Sequence, residues 1–111
     1  DGDYGEVNGV TITNAANNAA GVSGIRVYQA NYYNIQNNSI TAYKKGIYIE
    51  DGTGDVTTPA VLSGNTITAK VYNGSSGYII FLYKNITNLQ YITISNNILS
   101  VDDLANVSVG N

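Results

Sequence analysis

Three carboxylates crowd into one short stretch, Glu50-Asp51-Gly52-Thr53-Gly54-Asp55. Hard oxygen ligands on a glycine-rich loop are the chemistry of a Ca²⁺ site, which makes Glu50, Asp51 and Asp55 the candidate ligands. The spacing does not follow the EF-hand pattern and no second group of ligands accompanies it, so a solvated turn is the competing reading. Glu50 and Asp55 are also a carboxylate pair that hydrolysis could use, but a pair held within one loop is poorly preorganised. The chain has no His and no Cys. That excludes a histidine general base, a Ser–His relay and a thiolate metal site. No residue is assigned a catalytic role.

Ten tyrosines with no tryptophan suggest a different chemistry, the stacking of aromatic rings on sugars. The outward candidates for glycan binding are Tyr32, Tyr43, Tyr48 and Tyr72. Tyrosine is also simply a good strand residue with a polar tip. Columns of Ser and Thr (Ser39/Thr66, Thr41/Thr68, and Thr11 with Thr93) would suit an ice-binding face, but such a face needs a flat, regular array that uneven loops spoil. Glycosylation sequons at Asn37, Asn73, Asn85 and Asn106 are expected by chance in an Asn-rich chain.

These residues must be positioned by strands. Residues 33–42, 60–69 and 91–101 share one template: apolar, x, apolar, x, Gly or Asn, Asn, x, apolar, x, small apolar. The matched columns are Tyr33/Ala60/Ile92, Ile35/Leu62/Ile94, Asn38/Asn65/Asn97, Ile40/Ile67/Leu99 and Ala42/Ala69/Val101. Alternation of apolar and polar residues on both sides of the Asn means two short strands meeting at a corner. The copies recur 27 and 32 residues apart, within the range of solenoid repeats. Each bent ribbon buries its apolar face only when another copy stacks on it.

The Ile-x-x-Asn-x-Ile pattern followed by Gly-Ile-x-Ile resembles the right-handed parallel β-helix family, the pectate-lyase-like solenoids. The resemblance covers residues 9–101 and implies an all-β fold with a ladder of stacked Asn side chains, here Asn38, Asn65 and Asn97. An amide donates and accepts, so a column of amides at the ~4.8 Å strand spacing satisfies itself and the turn backbone. The family includes lyases, hydrolases, epimerases, adhesins and phage tail proteins, so the resemblance is nearly silent on activity. Its polysaccharide-acting members cluster Asp with Lys or Arg on a strand face; here the matched strands carry no carboxylate besides Glu50, at a strand end.

A second strand column is expected at Gly24-Ile25-Arg26-Val27, Gly46-Ile47-Tyr48-Ile49 and Gly77-Tyr78-Ile79-Ile80, with Ile25/Ile47/Tyr78 and Val27/Ile49/Ile80 inward. Glycine at each start suits a bend where two backbones approach closely. The stretch 78–83 is apolar on both parities, so a slip of one residue would bring Ile79 and Phe81 inside instead. Val10-Thr11-Ile12-Thr13 matches the template's first strand, which puts Ala15 at the ladder position and starts the ladder at the second rung. Asn14 to Gly21, Glu50 to Pro59 and Tyr72 to Ser76 read as corners and loops, and Val107 and Val109 as inward residues of a final strand.

Residues 1–111 form one domain, of about four coils and about 19 Å in height at strand spacing. No capping helix is recognisable before Val10 or after Val101, so the coil ends are expected to be interfaces, either with a longer chain or with stacked copies. Net charge is −3, and the basic residues Arg26, Lys44, Lys45, Lys70 and Lys84 make no stripe, which argues against nucleic acid as a partner. No apolar run spans a bilayer. Low charge (12%) with abundant Asn, Thr and Tyr suits an extracellular or cell-surface setting. The leading expectation is a non-catalytic structural module of a fibre, adhesin or tail protein, associating end to end through its coil edges. A fragment of a polysaccharide-processing enzyme and a glycan-binding module are the alternatives. No cofactor is expected beyond the candidate Ca²⁺.

Overall fold

The computed structural model describes residues 4–13, 23–70, 78–85 and 89–101. Its strands are β1 (Glu6–Asn8), β2 (Thr11–Thr13), β3 (Ser23–Tyr28), β4 (Asn34–Gln36), β5 (Ser39–Tyr43), β6 (Lys45–Glu50), β7 (Ala60–Ser63), β8 (Thr66–Lys70), β9 (Tyr78–Tyr83), β10 (Ile92–Ser95) and β11 (Ile98–Val101). They form three sheets, ordered β1-β4-β7-β10, β2-β5-β8-β11 and β3-β6-β9. Every pairing is parallel. Each strand therefore pairs with the one three elements further along, and the chain coils as a parallel β-helix: β1–β3, β4–β6, β7–β9, then β10–β11.

The repeat columns are registers of the sheets. Ile35 pairs with Leu62 and Leu62 with Ile94; Ile40 pairs with Ile67 and Ile67 with Leu99. Alternation turns these side chains inward, and Ile35, Leu62, Ile40, Ile67, Ile47 and Ile49 fill the core. The corner between the first two sheets explains the template's "Gly or Asn, Asn". Its first position is left-handed in every coil: Gly9 (φ 70°), Asn37 (56°), Gly64 (66°) and Asn96 (56°), a conformation that Gly and Asn tolerate best.

The second corner position turns inward. Asn38 donates from its backbone N (3.1 Å) and its Nδ2 (3.0 Å) to Oδ1 of Asn65. Asn65 does the same to Oδ1 of Asn97, at 2.9 Å for both bonds. The other Nδ2 bonds reach the carbonyl oxygens of Val7, Ile35 and Leu62. In the first coil this place belongs to Val10, whose N–H donates to Asn38 Oδ1 at 3.0 Å.

Two expectations change here. Thr11–Thr13 pairs with Ser39–Thr41, so it is the template's second strand; the first is Glu6–Asn8, which pairs with Asn34–Gln36. The ladder position is consequently Val10, while Ala15 lies outside the described residues. Thr11 and Thr93 also sit in different sheets and form no common column.

The third sheet departs from strict alternation, and glycine is the reason. A Cβ on Gly24 would collide with Ile40 Cγ2, and one on Gly46 with Ile67 Cγ2 and the Ile79 carbonyl. Gly24 and Gly46 thus face inward, as do the next residues Ile25 and Ile47. Ile79 and Ile80 repeat this double inward step, and both are buried. Register pairs Ile47 with Ile80 and Ile49 with Leu82, so Tyr78 is not the inward partner of Ile47. Tyr78 pairs with Lys45 instead. Gly77, Val107 and Val109 lie outside the described residues.

Candidate functional site

The double inward step has a consequence on the other side of the sheet. Lys45 and Tyr48, three residues apart, both serve the outer surface, as do Tyr78 and Phe81. The outer side of the third sheet is a grid of three rows set by register: Ser23–Lys45–Tyr78, Arg26–Tyr48–Phe81 and Tyr28–Glu50–Tyr83. Adjacent strands lie ~4.8 Å apart, which brings neighbouring rings into contact.

Phe81 is the hub. Its ring centroid lies 4.7 Å from Tyr78 and 5.3 Å from Tyr48, both tilted, and 6.3 Å from the nearly parallel ring of Tyr83. Two cations rest on these rings. Lys45 Nζ is 4.3 Å from the Tyr48 centroid and 5.3 Å from that of Phe81. The Arg26 guanidinium lies 5.3 Å from both Tyr28 and Tyr48. Its Nη2 donates to Glu50 Oε2 at 2.6 Å.

Ionisation follows this packing. The bond to Glu50 raises the guanidinium's pKa further. Burial first, then the hydrogen bond to Glu50 and its negative charge, push the Tyr48 phenol up. Burial first, then the positive charges of Lys44 and Arg26, lower the Lys45 ammonium. Arg26 and Lys45 against Glu50 leave the surface net positive on a chain of net charge −3. Chemically it is an aromatic surface of partly tilted rings, with hydroxyls at its edge and positive charge among the rings. Such rings take the C–H faces of sugars or other flat apolar groups, while the cations take anionic substituents.

The candidate Ca²⁺ ligands do not converge. Glu50 faces outward and is held by Arg26. Asp51 is buried at the following corner with φ 57°; its Oδ1 accepts the Asn85 N–H at 2.6 Å and its own N–H donates to Tyr83 O. Asp55 Oδ1 accepts from Thr57 N, Thr57 Oγ1 and Thr58 N at 2.7–2.8 Å, which holds its carboxyl below the usual range. Each carboxylate closes a local structure, and among the described residues no three potential ligands gather.

The candidate tyrosines also part company. Tyr48 belongs to the aromatic surface. Tyr32 occupies a left-handed corner (φ 56°) and stacks on Tyr4, with centroids 4.9 Å apart. Tyr43 ends β5 beside Lys70, whose Nζ lies 5.6 Å from its ring. Tyr72 lies outside the described residues. Reading the sequence missed Arg26, Tyr28, Lys45, Tyr78, Phe81 and Tyr83 as one surface. The signal was present in the pair of glycines: two successive inward residues shift the outward set, and 78–83 then resolves into Ile79, Ile80 and Leu82 inside with Tyr78, Phe81 and Tyr83 outside.

A family model described as "Protein of unknown function (DUF1565)" matches residues 2–110. The chain belongs to the DUF1565 family. No curated protein and no solved structure matches it. Among the described residues of this DUF1565 chain, no helix is long and apolar enough to cross a membrane.

Proposed function

We propose that this DUF1565 chain is a non-catalytic β-helix module of a surface or extracellular protein that binds carbohydrate on the outer side of its third sheet. The observation that carries the reading is the Phe81-centred aromatic cluster, with Lys45 and Arg26 seated on its rings. Net positive charge on an otherwise acidic chain favours a saccharide bearing carboxylate or sulfate groups. The likeness to pectate-lyase-like solenoids, many of which act on carbohydrates, adds support. Composition favours the surface setting.

Isothermal titration with acidic and neutral oligosaccharides tests this reading. Phe81→Ala is expected to weaken binding about five- to tenfold, as the loss of ~1–1.4 kcal/mol of ring contact would give, and Arg26→Ala to remove the preference for acidic over neutral chains. Binding unchanged in Phe81→Ala, or none to any glycan, rejects it; capture of a protein ligand by this surface would reassign it.

A second reading, end-to-end association through coil edges, rests on a different observation. Ile94 and Leu99 are 45% and 44% exposed while their column mates Leu62 and Ile67 are both 0% exposed. If the first coil of a second copy docked there it would bring Val10 to the ladder, so the junction would rely on strand pairing and apolar contact. Sedimentation across a wide concentration range decides it: a monomer throughout rejects self-association.

A further inference from the structure

The amide column between the first two sheets has a direction. Asn38 and Asn65 each give a backbone N–H and an Nδ2 proton to the side-chain oxygen of the next coil. The second Nδ2 proton of each goes back to the preceding coil, to the carbonyls of Val7 and Ile35 respectively. Both amides are thereby complete as donors.

The two ends of the column differ. At the first coil, Val10 gives its N–H to Asn38 Oδ1 at 3.0 Å and carries no polar side-chain atom. At the last coil, Asn97 accepts both bonds from Asn65 and donates one Nδ2 proton to the Leu62 carbonyl at 3.0 Å. Its backbone N–H and its other Nδ2 proton meet no acceptor among the described residues. These are the two donors that Asn38 and Asn65 commit to the following coil. They sit between β10 and β11, which end their sheets and are paired on one side only. The inward residues Ile94 and Leu99 lie on either side of them and remain largely uncovered.

A coil laid over this end would bury the apolar residues and the two donors together. It must bring an oxygen to Asn97, because a donor withdrawn from water without an acceptor opposes association. The first coil of a second copy presents Val10 there and has no such oxygen. We propose that the C-terminal coil end docks a parallel β-helical coil of a different chain, one that carries Asn directly after a left-handed corner residue. Docking there would continue the contact that already joins each coil to the next, and hydrogen-bond complementarity separates this partner from a second copy. Nothing in this depends on the carbohydrate surface, and a monomeric wild type, which rejects self-association, agrees with it.

Val10→Asn tests it by turning the chain's own first coil into such a partner. The introduced amide follows Gly9, which is already left-handed at φ 70°. Sedimentation velocity over a wide concentration range should show the variant associating end to end about tenfold more tightly than wild type, the equivalent of ~1.4 kcal/mol. Adding Asn97→Asp keeps the oxygen that Asn65 uses and removes both Nδ2 protons, so it should return association to the wild-type level. Val10→Asn associating no more tightly than wild type overturns the proposal. If the two are equally associated, self-association stands and the requirement for an amide falls; if both are monomers, both fall. Association of Val10→Asn that survives Asn97→Asp overturns the proposal equally, since the contact would then bypass the amide column.

Discussion

Between the first and second sheets, successive coils place the same residue at the same point: Asn38, Asn65 and Asn97, each bonded to the next. On the outer side of the third sheet the coils place different residues in one row, Arg26 beside Tyr48 beside Phe81. Both arrangements are products of the same stacking. At the corner the stacked groups turn inward, so each must satisfy its neighbour, and an amide, with its donor and acceptor on separate atoms, accepts from the coil above while donating to the coil below. On the outer surface water satisfies whatever is there, and each coil is at liberty to differ. Repetition in this solenoid therefore marks what holds coils together, and variation marks where a ligand can be recognised.

The largest effect should come from breaking the repeated column in its middle. Asn65→Leu removes the Oδ1 that accepts Asn38 N and Nδ2, and the Nδ2 that donates to the Ile35 carbonyl and to Asn97. Leucine satisfies none of these buried groups, so a loss of about 3 kcal/mol is expected in urea unfolding. A midpoint within error of wild type would dissolve the distinction between the two regions.

Gly46→Val attacks the point where they meet. Its side chain would drive into Ile67 Cγ2 and the Ile79 carbonyl, and overpacking of this kind costs ~1–3 kcal/mol. Because the double inward step sets which residues face outward, the variant should also disturb the Lys45–Tyr48 stacking. Near-ultraviolet circular dichroism of the tyrosines reports that directly, and an unaltered aromatic spectrum in a destabilised protein would separate the glycine from the surface it is argued to build.

Inner and outer sides were unequally legible in the sequence. The Ile35/Leu62/Ile94 and Ile40/Ile67/Leu99 columns stood out because apolar residues recur with period two around a fixed corner. The rung at Val10 was misplaced because only the matched pattern Val10–Thr13 was visible; Glu6-Val7-Asn8 carries a single apolar residue and offers no alternation to read. Residues 78–83 were ambiguous since all six are apolar or aromatic, on both parities, and the close approach of Gly46 to Ile79 is what fixes their phase. The carboxylates of 50–55 looked like one site because they are close in sequence, but a strand end, a buried corner and an Asx-type turn send their side chains three different ways.

Charge on the outer surface provides a gentler probe. Burial and the neighbouring Lys44 and Arg26 lower the Lys45 pKa, so this ammonium loses its proton at a lower pH than an exposed lysine at its ordinary 10.5. Affinity for an acidic saccharide should be full near neutrality and fall as pH rises, earlier than lysine titration alone would give. Lys45→Arg should flatten that fall, because guanidinium stays charged throughout. The same profile for wild type and variant would remove Lys45 from the recognition surface.

The smallest expected effect is a gain. Val10 occupies the ladder position of the first coil and supplies only its backbone N–H to Asn38 Oδ1. It is 43% exposed, so replacing it sacrifices little apolar burial. Val10→Asn would place a second donor, the new Nδ2, beside an oxygen that already accepts one bond, reproducing what Asn38 does to Asn65. A stabilisation of ~0.5–1 kcal/mol is expected, read as an upward shift in unfolding midpoint. The same substitution at an outer position such as Thr41 repeats no buried column and should give nothing. If both changes proved equally neutral, the order of the amides along the column would be a by-product of strand register and would contribute little to the cohesion of the coils.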